Sequence, residues 1–443
     1  MKTLPMLLLA TLLAALALLP GPARGQALEL EIAVGTRQAL PIAIVPMPYL
    51  GTSAAPDTDV AAVIRANLNR SGMFNALAES DVVERPVRGS EINFSTWRLL
   101  RQDYIVVGRV LDPPNPADGG FRVEYELWDV ARQERLLAFA YPARAQAVRE
   151  TAHKISDEIY EKITGTRGAF WTRIAYVTAT GSGQNMNFAL MVADADGFNP
   201  QTVVRSREPL LSPSWSPDGR RLAYVSFERG NSSIYIQEIA TGAREVVASF
   251  RGVNGAPAFS PDGTKLALTL SRTGNPEIYV MDLASRALTQ VTNHFSIDTE
   301  PTWSADGQTL YFTSDRGGKP QIYSAPASGG AATRVTTQGS YNARASVSAD
   351  GRLMAVAQGA GNVYRIAVMD RSLGGAGTWE FLSPGNLDES PSFAPNASMV
   401  LYAAREGSRG VLYAVSANGR VRQRLVLADG DVREPAWSPY RQR

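Results

Sequence analysis

The chain has 443 residues, with 44 Lys and Arg against 42 Asp and Glu. That balance excludes general electrostatic attachment to nucleic acid or to an anionic membrane, though not a local patch. It has no cysteine, which excludes disulfides, thiolate catalysis and Cys-ligated metal, and its length and 44% hydrophobic content suit two or more domains with proper cores.

Residues 1–27 read as an export signal. Lys2 supplies the positive start, Leu4–Leu19 is apolar apart from Thr11, and Pro20-Gly21-Pro22 breaks the run before small residues. Cleavage after Gly25 or after Ala27 fits. The alternative is a retained anchor, but 16 apolar residues are short of the about 20 that a spanning helix needs. Removing Lys2 and Arg24 leaves 42 basic against 42 acidic residues. No other stretch is apolar enough to span, so the expected product is an exported, soluble monomer without direct membrane insertion.

Residues 28–165 do not repeat and read as a mixed α/β domain. Leu28, Leu30, Ile32 and Val34 alternate with Glu29, Glu31 and Ala33, the pattern of a half-buried strand or of one awaiting a partner. Ile42–Val45 is a second strand. Asp57 or Asp59 caps a helix carrying Val60, Val63, Ile64 and Leu68 and ended by Gly72. Tyr104–Val107, Phe121–Leu127 and Leu136–Phe139 are strands, the last two pairing. A final helix carries Val148, Ala152, Ile155 and Ile159 on one stripe and stops at Gly165. Gly165–Gly168 is the expected linker.

From residue 170 to the end the chain repeats. Ser214-Trp215-Ser216-Pro217-Asp218-Gly219 recurs as Ala258-Phe259-Ser260-Pro261-Asp262-Gly263 and Thr302-Trp303-Ser304-Ala305-Asp306-Gly307. Fainter copies surround Val347, Phe393 and Trp437. The large residue falls at 215, 259, 303, 347, 393 and 437, in steps of 44, 44, 44, 46 and 44. A WD-like period of about 40–50 residues made of short strands marks β-propeller blades. Within one repeat, Ala258–Ser260, Leu266–Leu270, Ile278–Leu283 and Leu288–Val291 are the four strands, and Ser-Pro-Asp-Gly is the first hairpin turn. Ile174–Val177 lacks a Trp-Ser-Pro strand before it, and the strand at Trp437 lacks a partner after it. The two orphans imply a six-bladed ring closed by the C-terminal strand, since an open ring leaves sheet edges unpaired.

The expected fold is therefore an N-terminal α/β domain followed by an all-β six-bladed propeller over 170–443. No Gly-x-Ser-x-Gly elbow, P-loop or His-x-x-x-His pair is present. The only histidines are His153, read as a surface or core-edge residue, and His294, in a loop between blades where a binding role is open. The Asp-Gly pairs recur once per blade, as hairpins require, and lack the alternating acids of a calcium loop. Asp298 and Glu300, Asp388 and Glu389, and Asp431 and Glu434 precede inner strands. As a ring at the channel mouth they can hold a cation or a basic partner surface, or form a solvated rim. Val253–Pro257, Thr299–Pro301, Asn342–Ala343 and Arg433–Pro435 read as stiff rim loops suited to binding.

The ordered set Pro41–Pro46, Gly165–Val177, Asn254–Gly263, Tyr279–Ala284, Thr299–Trp303 and Pro435–Tyr440, behind a signal and an α/β domain, resembles the TolB family of the Tol-Pal cell-envelope system. The resemblance spans the whole chain. It implies a non-catalytic periplasmic protein without cofactor or metal, supporting outer-membrane integrity and invagination during cell division. It implies that the propeller binds the lipoprotein Pal through Val253, Asn254, Gly255, Ala256, Pro257, His294, Asp298, Thr299 and Glu300. It implies that Leu28, Glu29, Leu30, Glu31, Ile32, Ala33 and Val34 engage the C-terminal domain of TolA. One departure is Val253, where the family can carry a histidine before Asn-Gly-Ala-Pro. The alternative function is a propeller hydrolase or lactonase with a carboxylate site at the channel mouth.

Overall fold

The structure, a computed structural model, describes residues 39–442 except 116–118, 373–376, 386, 426 and 428–429. The segment Leu28–Val34 lies outside the described residues.

The first domain is a five-stranded sheet with helices on it. Its elements are β1 (Leu40–Ile44), α1 (Val60–Arg70), β2 (Phe74–Ala76), α2 (Phe94–Leu99), β3 (Tyr104–Leu111), β4 (Phe121–Asp129), β5 (Glu134–Ala143) and α3 (Val148–Thr164). The sheet order is β2-β1-β3-β4-β5; β1 runs parallel to β2 and β3, and β3, β4 and β5 are antiparallel neighbours. Of the two candidate caps, Asp59 takes the role, accepting from Ala62 N at 2.9 Å. Gly165 ends α3 in the left-handed region at φ 77°. The stripe Val148, Ala152, Ile155 and Ile159 packs with Ile64 and Leu68 of α1 against Ile42, Val106 and Val123 of the sheet. On the opposite face Trp97 of α2 is fully enclosed with Ala43, Ile105 and Val107. The short β2 and α2 had no legible period.

The propeller has six four-stranded sheets. The inner strands are Leu210–Trp215, Asn254–Phe259, Asp298–Trp303, Tyr341–Val347, Glu389–Phe393 and Asp431–Trp437. The last pairs antiparallel with Arg173–Thr180, Asp431 opposite Ala179 and Trp437 opposite Ile174, so the C-terminal strand completes the blade begun at Arg173. Indoles lock neighbouring blades: Trp215 Nε1 donates to Ala436 O at 3.1 Å and Trp303 Nε1 to Ala258 O at 2.9 Å. In the Ser-Pro-Asp-Gly turns the Asp oxygen is consumed locally. Asp262 Oδ1 accepts from Ser260 Oγ at 2.5 Å and Thr264 N at 3.0 Å, while Gly263 sits at φ 72°. This is hairpin chemistry.

The segments expected as rim loops are instead parts of the inner strands, each carrying a β-bulge. Register slips between Gly255 and Ala258, Thr299 and Thr302, Ala343 and Ser346, and Arg433 and Ala436. The residue at the bulge has positive φ in every blade: Ser212, Ala256, Glu300, Arg344, Ser390 and Glu434, between 45° and 56°. In five blades proline follows (213, 257, 301, 391 and 435). Proline has no N–H for the ladder, so the strand bulges where pairing is already impossible.

The two domains share one core. Ile159 and Tyr160 of α3 belong to the same buried cluster as Phe170, Ile174, Tyr176, Leu401 and Trp437. The linker is fastened too: Arg167 O accepts from Asn396 Nδ2 at 2.9 Å and from Tyr440 Oη at 3.2 Å. Arg70 Nη1 donates to Ala195 O at 2.9 Å, and Arg149 meets Asp196 at 2.5 Å. His153, expected near a surface, is enclosed in this interface at 2% exposure, because α3 turns that side toward the propeller. Its Nδ1 lies 2.9 Å from Asn67 Nδ2 and its Nε2 3.7 Å from Asp196. Burial pushes its pKa down to about 3, Asp196 opposing and Arg70, Arg149 and Arg441 adding.

Trp437 is 6% exposed and donates to Thr172 Oγ1 at 2.8 Å. Trp437→Ala is expected to cost about 3–5 kcal/mol, and removal of residues 431–443, which opens a sheet edge, to abolish a single cooperative transition. Denaturant unfolding followed by tryptophan fluorescence and circular dichroism checks both. Unchanged unfolding of the truncated chain would contradict closure.

A base held neutral when folded but protonated when unfolded contributes stability that is complete above its unfolded pKa and declines below it. For His153 the loss starts near pH 6.5 and reaches about 2 kcal/mol at pH 5. Buried Asp157 and Asp194, each raised to about 6 chiefly by desolvation, act in the opposite sense. The comparison therefore uses His153→Gln: its stability relative to wild type should rise by that amount between pH 7 and pH 5.

Candidate interaction face

All six inner strands begin on one side of the ring and end at the Ser-Pro-Asp-Gly turns on the other. The α/β domain is fixed to the second side, where it meets Asn396, Asn418, Ala195 and Asp196. Among the described residues the α/β domain does not reach the first side, and the implied Pal-binding residues gather there.

Two of its loops are pinned from beneath. Asn254 is fully buried, its Oδ1 accepting from Phe250 N at 2.8 Å and its Nδ2 donating to Phe250 O at 2.7 Å and Gly252 O at 3.2 Å. Val253, 48% exposed, stands on that clamp. Asn275 Nδ2 donates to His294 O and Ser296 O, both at 2.6 Å, and Glu277 accepts from His294 N at 2.6 Å. The clamps project Phe295, 89% exposed, with His294 stacked on it at 4.2 Å. Asp298 is fully buried and paired with Arg316 at 2.6 Å. Asn254 and Asp298 therefore shape this face from inside, Pro257 is buried, and Gly255, Ala256, Thr299 and Glu300 are partly open.

Sequence reading missed the apolar arc that links these loops. Val253, Ile297, Tyr341 and Leu387 each stand six residues ahead of the large repeat residue (Phe259, Trp303, Val347 and Phe393). They occupy one position in four consecutive blades, and Val253, Ile297 and Leu387 are 42–48% exposed. The signal was present in the repeat spacing, at a position outside the conspicuous turn motif.

The bulge residues line a central cavity of about 450 Å³. Its charges do not form the expected ring of carboxylates. Arg344 Nε meets Glu300 Oε1 at 2.6 Å, Nη2 meets Glu434 Oε1 at 3.0 Å, and Nη1 donates to Ser390 Oγ. Although burial pulls the Arg344 guanidinium down, Glu434 and Glu300 hold it above its ordinary value. Of the other rim acids, Asp431 pairs with Arg433 and Asp388 is 3% exposed. The nearest approach to a metal set among the described residues, His153 with Asp194 and Asp196, lies at the domain interface beside Arg70, Arg149 and Arg441. Three guanidiniums there oppose a cation.

The fold defines a two-domain protein, an α/β domain attached to one side of a six-bladed β-propeller. The model of the TolB beta propeller domain matches residues 160–441, and that of the TolB amino-terminal domain residues 28–136. The chain is 68% identical over 437 residues to the Tol-Pal system protein TolB of Xanthomonas campestris pv. campestris, covering 99% of each, and equally so to that of Xanthomonas oryzae pv. oryzae. The crystal structure of TolB from Acinetobacter baumannii superposes with a TM-score of 0.82 at 43% identity, covering 91% of this chain and 97% of that one. The chain belongs to the TolB family.

Arg344→Met leaves Glu300 and Glu434 opposed without their cation. Because both are partly solvated, the expected loss is about 2 kcal/mol, below that of a fully buried pair. The loss should shrink at high salt. Urea midpoints at two ionic strengths measure it.

Proposed function

We propose that the protein is a non-catalytic periplasmic member of the Tol-Pal system that docks the lipoprotein Pal on the free propeller face and recruits TolA through Leu28–Val34, supporting outer-membrane integrity and invagination during division. Family membership supports the system. The observation that carries the Pal reading is the exposed apolar arc with Phe295, standing on clamped loops on the side away from the α/β domain. Exposed apolar side chains that recur on one face in this way mark an interaction site. Within the implied set, Val253, Gly255, Ala256, His294, Thr299 and Glu300 reach the partner, while Asn254, Pro257 and Asp298 hold the loops in shape. A hydrolase or lactonase that used Glu300 or Glu434 as its acid or base is disfavoured, because both are tied to Arg344.

The alternating sequence of Leu28–Val34 suits addition as a strand to a partner's sheet, main-chain bonds giving affinity and alternate apolar side chains specificity. No helix among the described residues is long and apolar enough to cross a membrane. Val253→Asp and Phe295→Ser should each weaken Pal binding about tenfold or more, in line with loss of an apolar anchor, at unchanged unfolding midpoint. Titration calorimetry with the soluble domain of Pal checks this, and wild-type affinity in both variants would move the interface elsewhere. A chain starting at Gln38 should fold and bind Pal yet lose TolA; full TolA binding by that chain would refute the recruiting role.

A further inference from the structure

Beside the channel, between the blades whose inner strands are Tyr341–Val347 and Glu389–Phe393, a cavity of about 340 Å³ opens on the free face. It is near the lower end of the roughly 300–1,000 Å³ of small-ligand pockets, a size for one side chain. Tyr341 and Tyr364 form two of its walls, with ring centroids 5.2 Å apart and planes at 86°. Leu387, 42% exposed, stands on its rim. Asp388, which accepts from Gly385 N at 3.1 Å, lines the cavity together with Glu389 and with the paired Glu300 and Arg344.

No described group hydrogen-bonds the Glu389 carboxylate. Of the cations whose field reaches it, Arg344 is committed to Glu300 and Glu434 and Arg433 to Asp431, leaving the exposed Arg405. Enclosure pushes the Glu389 carboxyl above its ordinary range, Arg344 opposing and Glu434 adding. Glu389 is an exposed residue that lines the cavity, and a carboxylate with no hydrogen-bonded cation gains an ion pair when a cation arrives. Tyr341 and Tyr364 pack edge to face on one another, and a ring face that this contact leaves open attracts guanidinium and ammonium alike, more than a neutral guest.

We propose that this cavity receives one arginine or lysine side chain of the protein that docks on the free face, packed against the Tyr341–Tyr364 pair with its charge on Glu389. The inference rests on the docking reading above. The apolar arc supplies contact area, and the cavity fixes register, since a basic side chain elsewhere on the partner leaves Glu389 uncompensated.

Two measurements separate the claims. Butylguanidinium, titrated against the purified protein and followed by saturation-transfer NMR, should bind saturably in the millimolar range. Glu389→Gln and Tyr364→Leu should each weaken it about fivefold or more, and neutral butylurea should not bind. Absence of saturable binding to wild type, equal binding of butylurea, or no change in Glu389→Gln overturns the cavity as a cation receptor. Calorimetry with the soluble domain of Pal should show Glu389→Gln weakened about 5–30-fold with a shallower salt dependence. Wild-type affinity and salt slope in that variant overturn the docking role. Failure of Pal to bind the wild-type protein at all defeats the partner assignment, while the butylguanidinium titration still decides the cavity.

Discussion

The structure depends on a pairing between the two ends of one long segment of chain. Asp431–Trp437 must find Arg173–Thr180, and Arg173 and Ser438 exchange bonds at 2.9 Å in both directions at the end of that ladder. Without this contact the first blade has three strands and the ring has an edge. The same pairing brings Trp437 and Ile174 into the cluster that holds Ile159 and Tyr160 of α3. Ring closure and attachment of the α/β domain therefore draw on one core, and the interface behaves as interior rather than as a transient contact between domains.

Closure also dictates what the channel can contain. Six inner strands converge there, and each carries its kink at the same repeat position. A non-glycine residue at positive φ costs free energy, so six of them at one radius need a common cause. The bulge supplies it by turning one side chain per blade into the channel. Two of those six are Glu300 and Glu434, and a third, Arg344, neutralises them from the same position in another blade. The acid-lined mouth expected from the sequence ignored this partner because Arg344 follows Asn342-Ala343 without an acidic neighbour to draw attention to it.

The propeller was legible almost entirely from the spacing of Trp215, Phe259, Trp303, Val347, Phe393 and Trp437, because each ends an inner strand and recurs for the same packing reason. Helices α1 and α3 of the first domain were legible through their caps, Asp59 and Gly165, and through a 3.6-residue stripe. What was not legible came from tertiary context. Phe74–Ala76 is too short to show a period and is a strand because β1 lies beside it. His153 is indistinguishable by sequence from a surface histidine on an amphipathic helix, and only the propeller's Asp196 makes it an interface residue. The rim segments read as loops because Pro and Gly are turn residues in isolation. In an inner strand, proline instead marks the position where the ladder is already interrupted.

A ring has two faces, and the sequence treats them differently. On one, polar turns meet α1, α3 and the linker. On the other, Val253, Ile297 and Leu387 remain exposed although the repeat offers the same position in every blade, where Asp431 shows that an apolar residue is not required by the fold. Their exposure costs solubility and contributes nothing to the ring. The residues beneath them, Asn254, Asn275 and Glu277, hold the surrounding loops through buried or half-buried hydrogen bonds. Loops ordered in advance lose little entropy when a partner arrives, so contact made there appears as affinity rather than being consumed in ordering. The combination of apolar exposure with a rigid polar foundation is what a binding surface needs and what a merely tolerant surface lacks.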